Sequence, residues 1–318
     1  MRVTLGFDTS CYTTSAAAVG ENGEVVASSR MLLPVAGGER GLRQSEAVFA
    51  HVRQMPQVMA RLALPPDAEI AAVCASATPR NEKDSYMPVF AVGLGHARVV
   101  AQTLRVPLYE TSHQQGHIAA GLIGNARPER AFIALHLSGG TTELLLVQKD
   151  GLRLMGGSLD LHAGQLVDRV GVALGLGFPA GPALEKLALA CREPTQALLP
   201  VSLEKDGLHC HLSGVESQAQ RWIQSGGLSP ELVAAEVFDV LARTVARLLN
   251  NACRQTGAKT ALVVGGVASS TLLRALLVQR MQKLRSPAAL LFGQPQYSAD
   301  NAAGVAAIGM RRFMEENG

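Results

Sequence analysis

Two imidazoles four residues apart, in His113-Gln114-Gln115-Gly116-His117, carry the strongest chemical signal in this sequence. On a helix that spacing puts both rings on one face, where they can share one metal ion; the same pair can also be exposed or cap a helix. A protease of the H-E-x-x-H type needs a glutamate directly after the first histidine as its general base. Gln114 stands there and cannot take a proton from water, which disfavours hydrolysis by that route. A third ligand would have to come from elsewhere in the chain. Asp300, in Tyr297-Ser-Ala-Asp-Asn301, is the best distant oxygen donor: at the start of a predicted helix its carboxylate either caps that helix or coordinates the metal.

A second set of residues has the character of phosphate and nucleotide chemistry. Ser138-Gly139-Gly140-Thr141 and Gly265-Gly266-Val267-Ala268-Ser269 each follow an apolar strand, and paired glycines allow the backbone to approach a phosphate or a base, or simply form a turn. Asp8-Thr9-Ser10 ends the first strand as Ser138-Gly139-Gly140 ends a later one, and amides at such tight hairpins can form a nest for phosphate oxygens. Phe178-Pro-Ala-Gly-Pro182 either breaks two helices or belongs to the same site, and Asp168 is either a site residue or a solvated acid. Gly257-Ala-Lys-Thr260 has the wrong spacing for a P-loop, and no G-x-G-x-x-G follows a strand.

These residues must be held by an ordered scaffold, and the patterning supplies one. Strand-like runs at Val3 to Phe7, Ala16 to Val19 and Glu24 to Ser28 form a meander whose last two members are joined by Gly20-Glu-Asn-Gly23. A second meander runs from Phe132 to Met155, with Lys149-Asp150-Gly151 as its turn, so the unit is repeated. Helical stretches follow each copy: Ser45 to Leu62 and Met87 to Leu104, then Gly164 to Leu176, Pro182 to Cys191 and Pro230 to Thr256. The chain ends with a strand at 262–264, a helix from Ser270 to about Leu284, a strand near Leu290 and a helix from Asp300 to about Met314. Meander followed by helices, twice, predicts an α/β protein of the duplicated actin/Hsp70/sugar-kinase (ASKHA) type. Its two similar domains, 1–126 and 127–318, would flank a nucleotide cleft, with the boundary in the polar segment NARPER and the C-terminal helix packing back onto the first domain.

Composition agrees with an ordered chain of this kind. At roughly 150 residues per domain, 318 residues suit two domains. With 47% hydrophobic and 17% charged residues, intrinsic disorder is excluded, and 32 glycines without a period exclude collagen. Five scattered cysteines without a C-x-x-C argue for reduced thiols. No apolar run approaches the ~18 residues of a membrane span, and no signal-peptide pattern opens the chain, so a cytoplasmic protein without a membrane partner is expected. The net charge of +3 is compatible with a nucleic-acid partner without establishing one. Arg40, Arg43, Arg53, Arg311 and Arg312 are candidate phosphate contacts or a solvated face. The stripe Val48, Phe49, Val52, Met55 and Val58 is either a core face or a partner surface.

Taken in order, the motifs resemble the TsaD family of tRNA N6-threonylcarbamoyladenosine synthases, once described as O-sialoglycoprotein endopeptidases, over nearly the whole chain. The matching segments are Leu5-Gly-Phe-Asp-Thr-Ser-Cys11, the His113/His117 pair, Ser138-Gly139-Gly140, Gly164 to Leu187 with Asp168 and Pro179-Ala-Gly-Pro182, Ser213-Gly214, Gly265-Gly266-Val267 and Asp300-Asn301. The resemblance implies an acyltransferase that moves a threonylcarbamoyl group from threonylcarbamoyl-adenylate to an adenosine beside the anticodon of tRNA, with TsaB-like and TsaE-like partners. It implies that His113, His117 and Asp300 hold a divalent iron or zinc ion, and that the nucleotide is the adenylate or ATP with Mg. It further implies substrate or nucleotide contacts from Asp8, Thr9, Ser10, His136, Leu137, Ser138, Gly139, Gly140, Asp168, Gly181, Gly265, Gly266 and Ser270.

Several positions depart from the family pattern. Tyr12 and Thr13 replace two acidic residues, Thr141 replaces a histidine, and Gln165 replaces a glutamate. Glu216 replaces a lysine, Ser270 an asparagine, and Thr78 to Met87 a Gly-Pro-Gly-Leu loop. Metal ligands persist while substrate-side residues differ. Two alternatives therefore stand beside tRNA modification: a carbamoyl or acyl transferase with another acceptor, and a non-catalytic nucleotide-binding subunit.

Overall fold

All seven residues of the first strand, β1 (Arg2–Thr9), that follow Arg2 are buried, which requires a sheet covered on both faces. A computed structural model describes residues 1–34, 42–82, 84–128, 130–149 and 151–318, so Arg40, Glu129 and Asp150 lie outside the described residues. After β1 come β2 (Thr13–Gly20), β3 (Val25–Leu32), α1 (Gln44–Arg61), β4 (Glu69–Thr78), α2 (Phe90–Leu104), β5 (Leu108–Ser112) and α3 (His113–Leu122). The strand order is β3-β2-β1-β4-β5: an antiparallel meander, then two parallel strands.

The chain continues with β6 (Phe132–Leu137), β7 (Thr142–Gln148), β8 (Gly151–Ser158), α4 (Ala163–Ala173), α5 (Gly181–Ala190), β9 (Ser202–Leu203), β10 (His209–His211) and α6 (Ser213–Ser225). Then follow α7 (Pro230–Thr256), β11 (Thr260–Val264), α8 (Thr271–Lys283), β12 (Ala289–Phe292) and the final helix α9 (Ala303–Asn317). The second sheet runs β12-β11-β6-β7-β8-β10-β9. Its first five strands repeat the first sheet in order and sense, meander and parallel pair alike, with β9 and β10 added at the meander edge. The turns match as well: Ser10 N donates to Thr13 O at 3.0 Å, and Ser138 N to Thr141 O at 2.8 Å. The fold is thus the duplicated ASKHA-type α/β architecture that the repeat predicts.

Contacts divide the chain into one unit of Met1–Asn125 with Gln296–Gly318 and another of Ala126–Pro295. In the first unit, one sheet face is covered by Met55, Val58, Ala97 and Ala101 of α1 and α2. Only part of the apolar stripe of α1 goes inward: Met55 and Val58 are fully buried, whereas Phe49 and Val52 are 63% and 49% exposed, with Arg53 lying over the Phe49 ring. In the second unit a single core collects the sheet, α4, α5, α6, α7 and α8 around Leu135, Leu144, Leu166 and Phe238. Among the described residues no helix is long and apolar enough to cross a membrane.

The other face of the first sheet is covered by α9, whose small residues Ala303, Gly304, Ala306 and Gly309 are all buried. Helix α3 packs on α9 so closely that a Cβ at Gly304 would stand 1.9 Å from the carbonyl oxygen of Gly116 and 2.5 Å from Ala120 N. Backbone cannot yield as a side-chain end can, so only glycine fits. Gly304→Ala should therefore separate α3 from α9, lowering stability by about 3 kcal/mol and Tm by roughly 6–12 °C. Differential scanning calorimetry would detect this, and an unchanged Tm would show that the contact is dispensable.

Candidate metal centre and nucleotide pocket

The histidine pair opens α3, and local capping explains its register. Ser112 Oγ accepts from Gln115 N at 3.2 Å, and Gln115 Oε1 accepts from Ser112 N at 3.1 Å, which is a capping box. His113 is therefore the first helical residue and His117 sits one turn on, with their Nε2 atoms 3.1 Å apart. Asp300 arrives from the segment before α9. It does not cap that helix: Asn301 Oδ1 accepts from Ala303 N at 2.9 Å instead, and the Asn301 amide donates to Tyr297 O and Ala299 O. This leaves Asp300 Oδ1 3.2 Å from His117 Nε2 and 3.8 Å from His113 Nε2, while Oδ2 accepts from Ser10 Oγ.

Ligand atoms of His113, His117 and Asp300 all lie within 4.8 Å of one another. Two imidazoles and one carboxylate form a donor set suited to iron(II) or zinc, with positions left for other ligands. The charge distribution favours a cation. Burial alone would lower the His113 pKa, but the charge and hydrogen bond of Asp8, with Asp300 beyond, outweigh it and raise the pKa to about 9. Burial would likewise raise the Asp300 carboxyl, but the His117 hydrogen bond, the two imidazole charges and the Ser10 hydroxyl hold it well below the usual carboxylate range.

Asp8, Thr9 and Ser10 sit beside this cluster, and all three are buried with their polar atoms engaged. Asp8 accepts from His113 Nδ1 and Ser76 Oγ. Thr9 Oγ1 donates to Val89 O and accepts from Gly93 N. Ser10 Oγ accepts from Thr13 N at 3.1 Å, so amides of this turn point at the turn itself. Thr13 is buried and Tyr12 is 49% exposed, and neither restores a carboxylate. Sequence reasoning missed Ser76 and His51, whose rings and hydroxyls are invisible as motifs; His51 Nε2 lies 2.8 Å from Ser10 O and Nδ1 lies 2.7 Å from Thr14 Oγ1.

The remaining expected site residues belong to the second unit. A cavity of about 250 Å³ is lined there by Gly139, Asp168, Gly181, Glu185, Gly266 and Ser270, among others. His136 and Leu137 are buried on β6, and Gly265, at φ +99°, presses its backbone against Leu137 O, where a Cβ would come within 2.3 Å. Asp168 accepts from Ala180 N at 2.8 Å and so holds the segment leading to Gly181. Glu185, unforeseen from sequence, accepts from Thr271 Oγ1 and Leu272 N at 2.8 Å each. Two family departures preserve local structure. Ser270 caps α8 by accepting from Leu273 N, and Gln165 Oε1 accepts from His162 N at the start of α4, roles that asparagine and glutamate would also fill.

Asp160 anchors this unit by accepting from the amides of Leu161 and Leu212 and from the Ser213 hydroxyl. Burial opposes its ionisation, but these donors, the Ser213 hydroxyl foremost, hold its pKa below the usual range. A depressed folded pKa gives stability above the unfolded value of about 3.9, lost as pH falls through the folded value. Asp160→Asn should lower Tm at pH 7 by roughly 2–6 °C and by less at pH 3. Equal losses at both pH values in calorimetry would contradict this assignment.

Over residues 55–307 the chain matches the family described as TsaD: tRNA N6-adenosine threonylcarbamoyltransferase. Among solved structures, component A of the (R)-2-hydroxyglutaryl-CoA dehydratase of Acidaminococcus fermentans superposes with a TM-score of 0.56 at 12% identity, covering 99% of this chain and 100% of that one. A ROK family glucokinase from Streptomyces griseus, in complex with glucose and AMPPNP, gives 0.55 at 14%, over 97% and 99% of the two chains. T. kodakarensis HypF gives 0.61 at 15%, over 99% of this chain and 48% of that one. These likenesses are of fold.

Proposed function

Since this chain belongs to the TsaD family of tRNA N6-adenosine threonylcarbamoyltransferases, we propose that it is a metal-dependent acyltransferase moving a threonylcarbamoyl group from threonylcarbamoyl-adenylate to tRNA, acting in the cytoplasm with TsaB-like and TsaE-like partners. The acceptor is the exocyclic N6 amine of an adenosine beside the anticodon. The observation that carries this reading is the convergence of His113 Nε2, His117 Nε2 and Asp300 within one ion's reach.

In this reading His113, His117 and Asp300 hold one divalent iron or zinc ion, which when bound supplies Lewis-acid polarisation of a carbonyl, worth several kcal/mol at such sites. Ser10 fixes the Asp300 carboxylate through Oδ2, which leaves Oδ1 as the ligand atom. In the second unit, Ser138, Gly139 and Gly140 approach phosphate, Asp168 and Gly181 the sugar, and Gly265, Gly266 and Ser270 the base. The cavity of about 250 Å³ is just below the range of about 300–1,000 Å³ of small-molecule pockets. The N6 nitrogen forms a bond to the carbamoyl carbon, the carbon–oxygen bond to phosphate breaks, and AMP leaves as the amine gives up a proton.

A second reading keeps the metal centre and changes the acceptor. It is favoured by the turn at Tyr12 and Thr13, which carries no carboxylate where the family has two. Purified protein with threonylcarbamoyl-adenylate, tRNA and the two partner types should yield threonylcarbamoyladenosine by nucleoside mass spectrometry, and His113→Ala should reduce it at least ~10²-fold. Absence of the modified nucleoside with a loaded metal centre would favour another acceptor, and product unaffected by His113→Ala would remove the metal from the mechanism.

A further inference from the structure

We propose that Asp8 is a positioning residue that selects which nitrogen of His113 faces the metal, rather than a residue that touches nucleotide. This rests on the reading of His113, His117 and Asp300 as ligands. The Asp8 side chain has 0% exposure, so no nucleotide phosphate reaches it in this arrangement. Its oxygens lie 2.9 and 3.0 Å from His113 Nδ1. A carboxylate offers Nδ1 acceptors only, so Nδ1 keeps its proton and Nε2 is the nitrogen left to give its lone pair to a metal. Nε2 is the atom that faces His117 Nε2 and Asp300 Oδ1.

Asp8 is itself held on both sides. Ser76, also fully buried, donates its hydroxyl to Asp8 Oδ1, and the backbone carbonyl of Asp8 accepts from Ser15 Oγ at 3.1 Å. Both serines stand on strands flanking β1, so the carboxylate is aimed by the sheet rather than by a loop. A buried anion hydrogen-bonded to a ligand histidine orients the ring and raises its basicity, and loss of such a partner typically costs 10–100-fold in metal affinity. The charge count agrees: with neutral imidazoles, Asp8 and Asp300 together balance a dication using residues of the first unit alone.

The test is Co²⁺ titration of metal-stripped full-length protein, followed by its d–d absorption, in wild type and Asp8→Asn, with circular dichroism to verify folding. Wild type should bind one ion, and Asp8→Asn should bind 10–100-fold more weakly with an altered spectrum, while Mg-AMPPNP affinity is unchanged. In the wild-type Zn²⁺ complex, ¹⁵N-histidine NMR should show a protonated Nδ1 on His113, an observation independent of the variant's folding. Equal Co²⁺ affinity in the two proteins, a His113 protonated at Nε2, or loss confined to Mg-AMPPNP binding would overturn the role of Asp8. A wild type that binds no Co²⁺ would instead overturn the metal reading on which it rests.

Discussion

The close approach of α3 to α9 is the constraint on which the proposed metal centre depends. His113 and His117 come from one end of the first unit's sequence and Asp300 from nearly the other end of the chain. They meet because Gly304 lets α9 lie against the backbone of Gly116, between the two histidines. The glycine between the two histidines of HQQGH is thus the point at which the helix that follows Asp300 docks. Asn301 completes the arrangement by accepting from the first amide of α9, at Ala303, while the Asp300 carboxylate turns toward the imidazoles.

The duplicated hairpin presents different chemical surroundings in its two copies. Both turns close with a serine amide donating to a threonine carbonyl three residues on. In the first copy the serine hydroxyl also donates to Asp300 and the preceding strand buries Asp8 against His113, so the turn is tied to the proposed metal ligands. In the second copy the strand ends in two glycines, beside a cavity whose walls include Asp168 and Glu185. Side-chain charge is concentrated in one copy and open backbone in the other, the division expected if the first copy serves the proposed metal and the second the proposed nucleotide.

Much of this was legible in the sequence because period and turn chemistry are local. The meanders, α7 between Pro230 and Thr256, and the Gly20–Gly23 hairpin follow from strand-length apolar runs and turn residues, a Ser229-Pro230 start and a Gly257 stop. Strands β4 and β5 escaped because EIAAVCASAT and LYETS are joined to their neighbours through helices rather than by a hairpin turn. The histidine pair and Asp300 were visible as residue types, whereas whether Asp300 caps α9 or turns to the imidazoles depended on Asn301 and on packing against residues far away in sequence. Ser76, His51 and Glu185 carry no motif, since each acts through a partner that only the tertiary fold brings within reach. The apparent substrate-side departures at Ser270 and Gln165 became legible only as caps.

The most direct measurement is single-turnover transfer from threonylcarbamoyl-adenylate to tRNA by metal-stripped protein reloaded in steps with iron(II) or zinc. Transfer should rise in proportion to occupancy and level off at one ion per chain. Full transfer by the stripped protein would contradict the assignment of His113, His117 and Asp300 as the centre of the reaction.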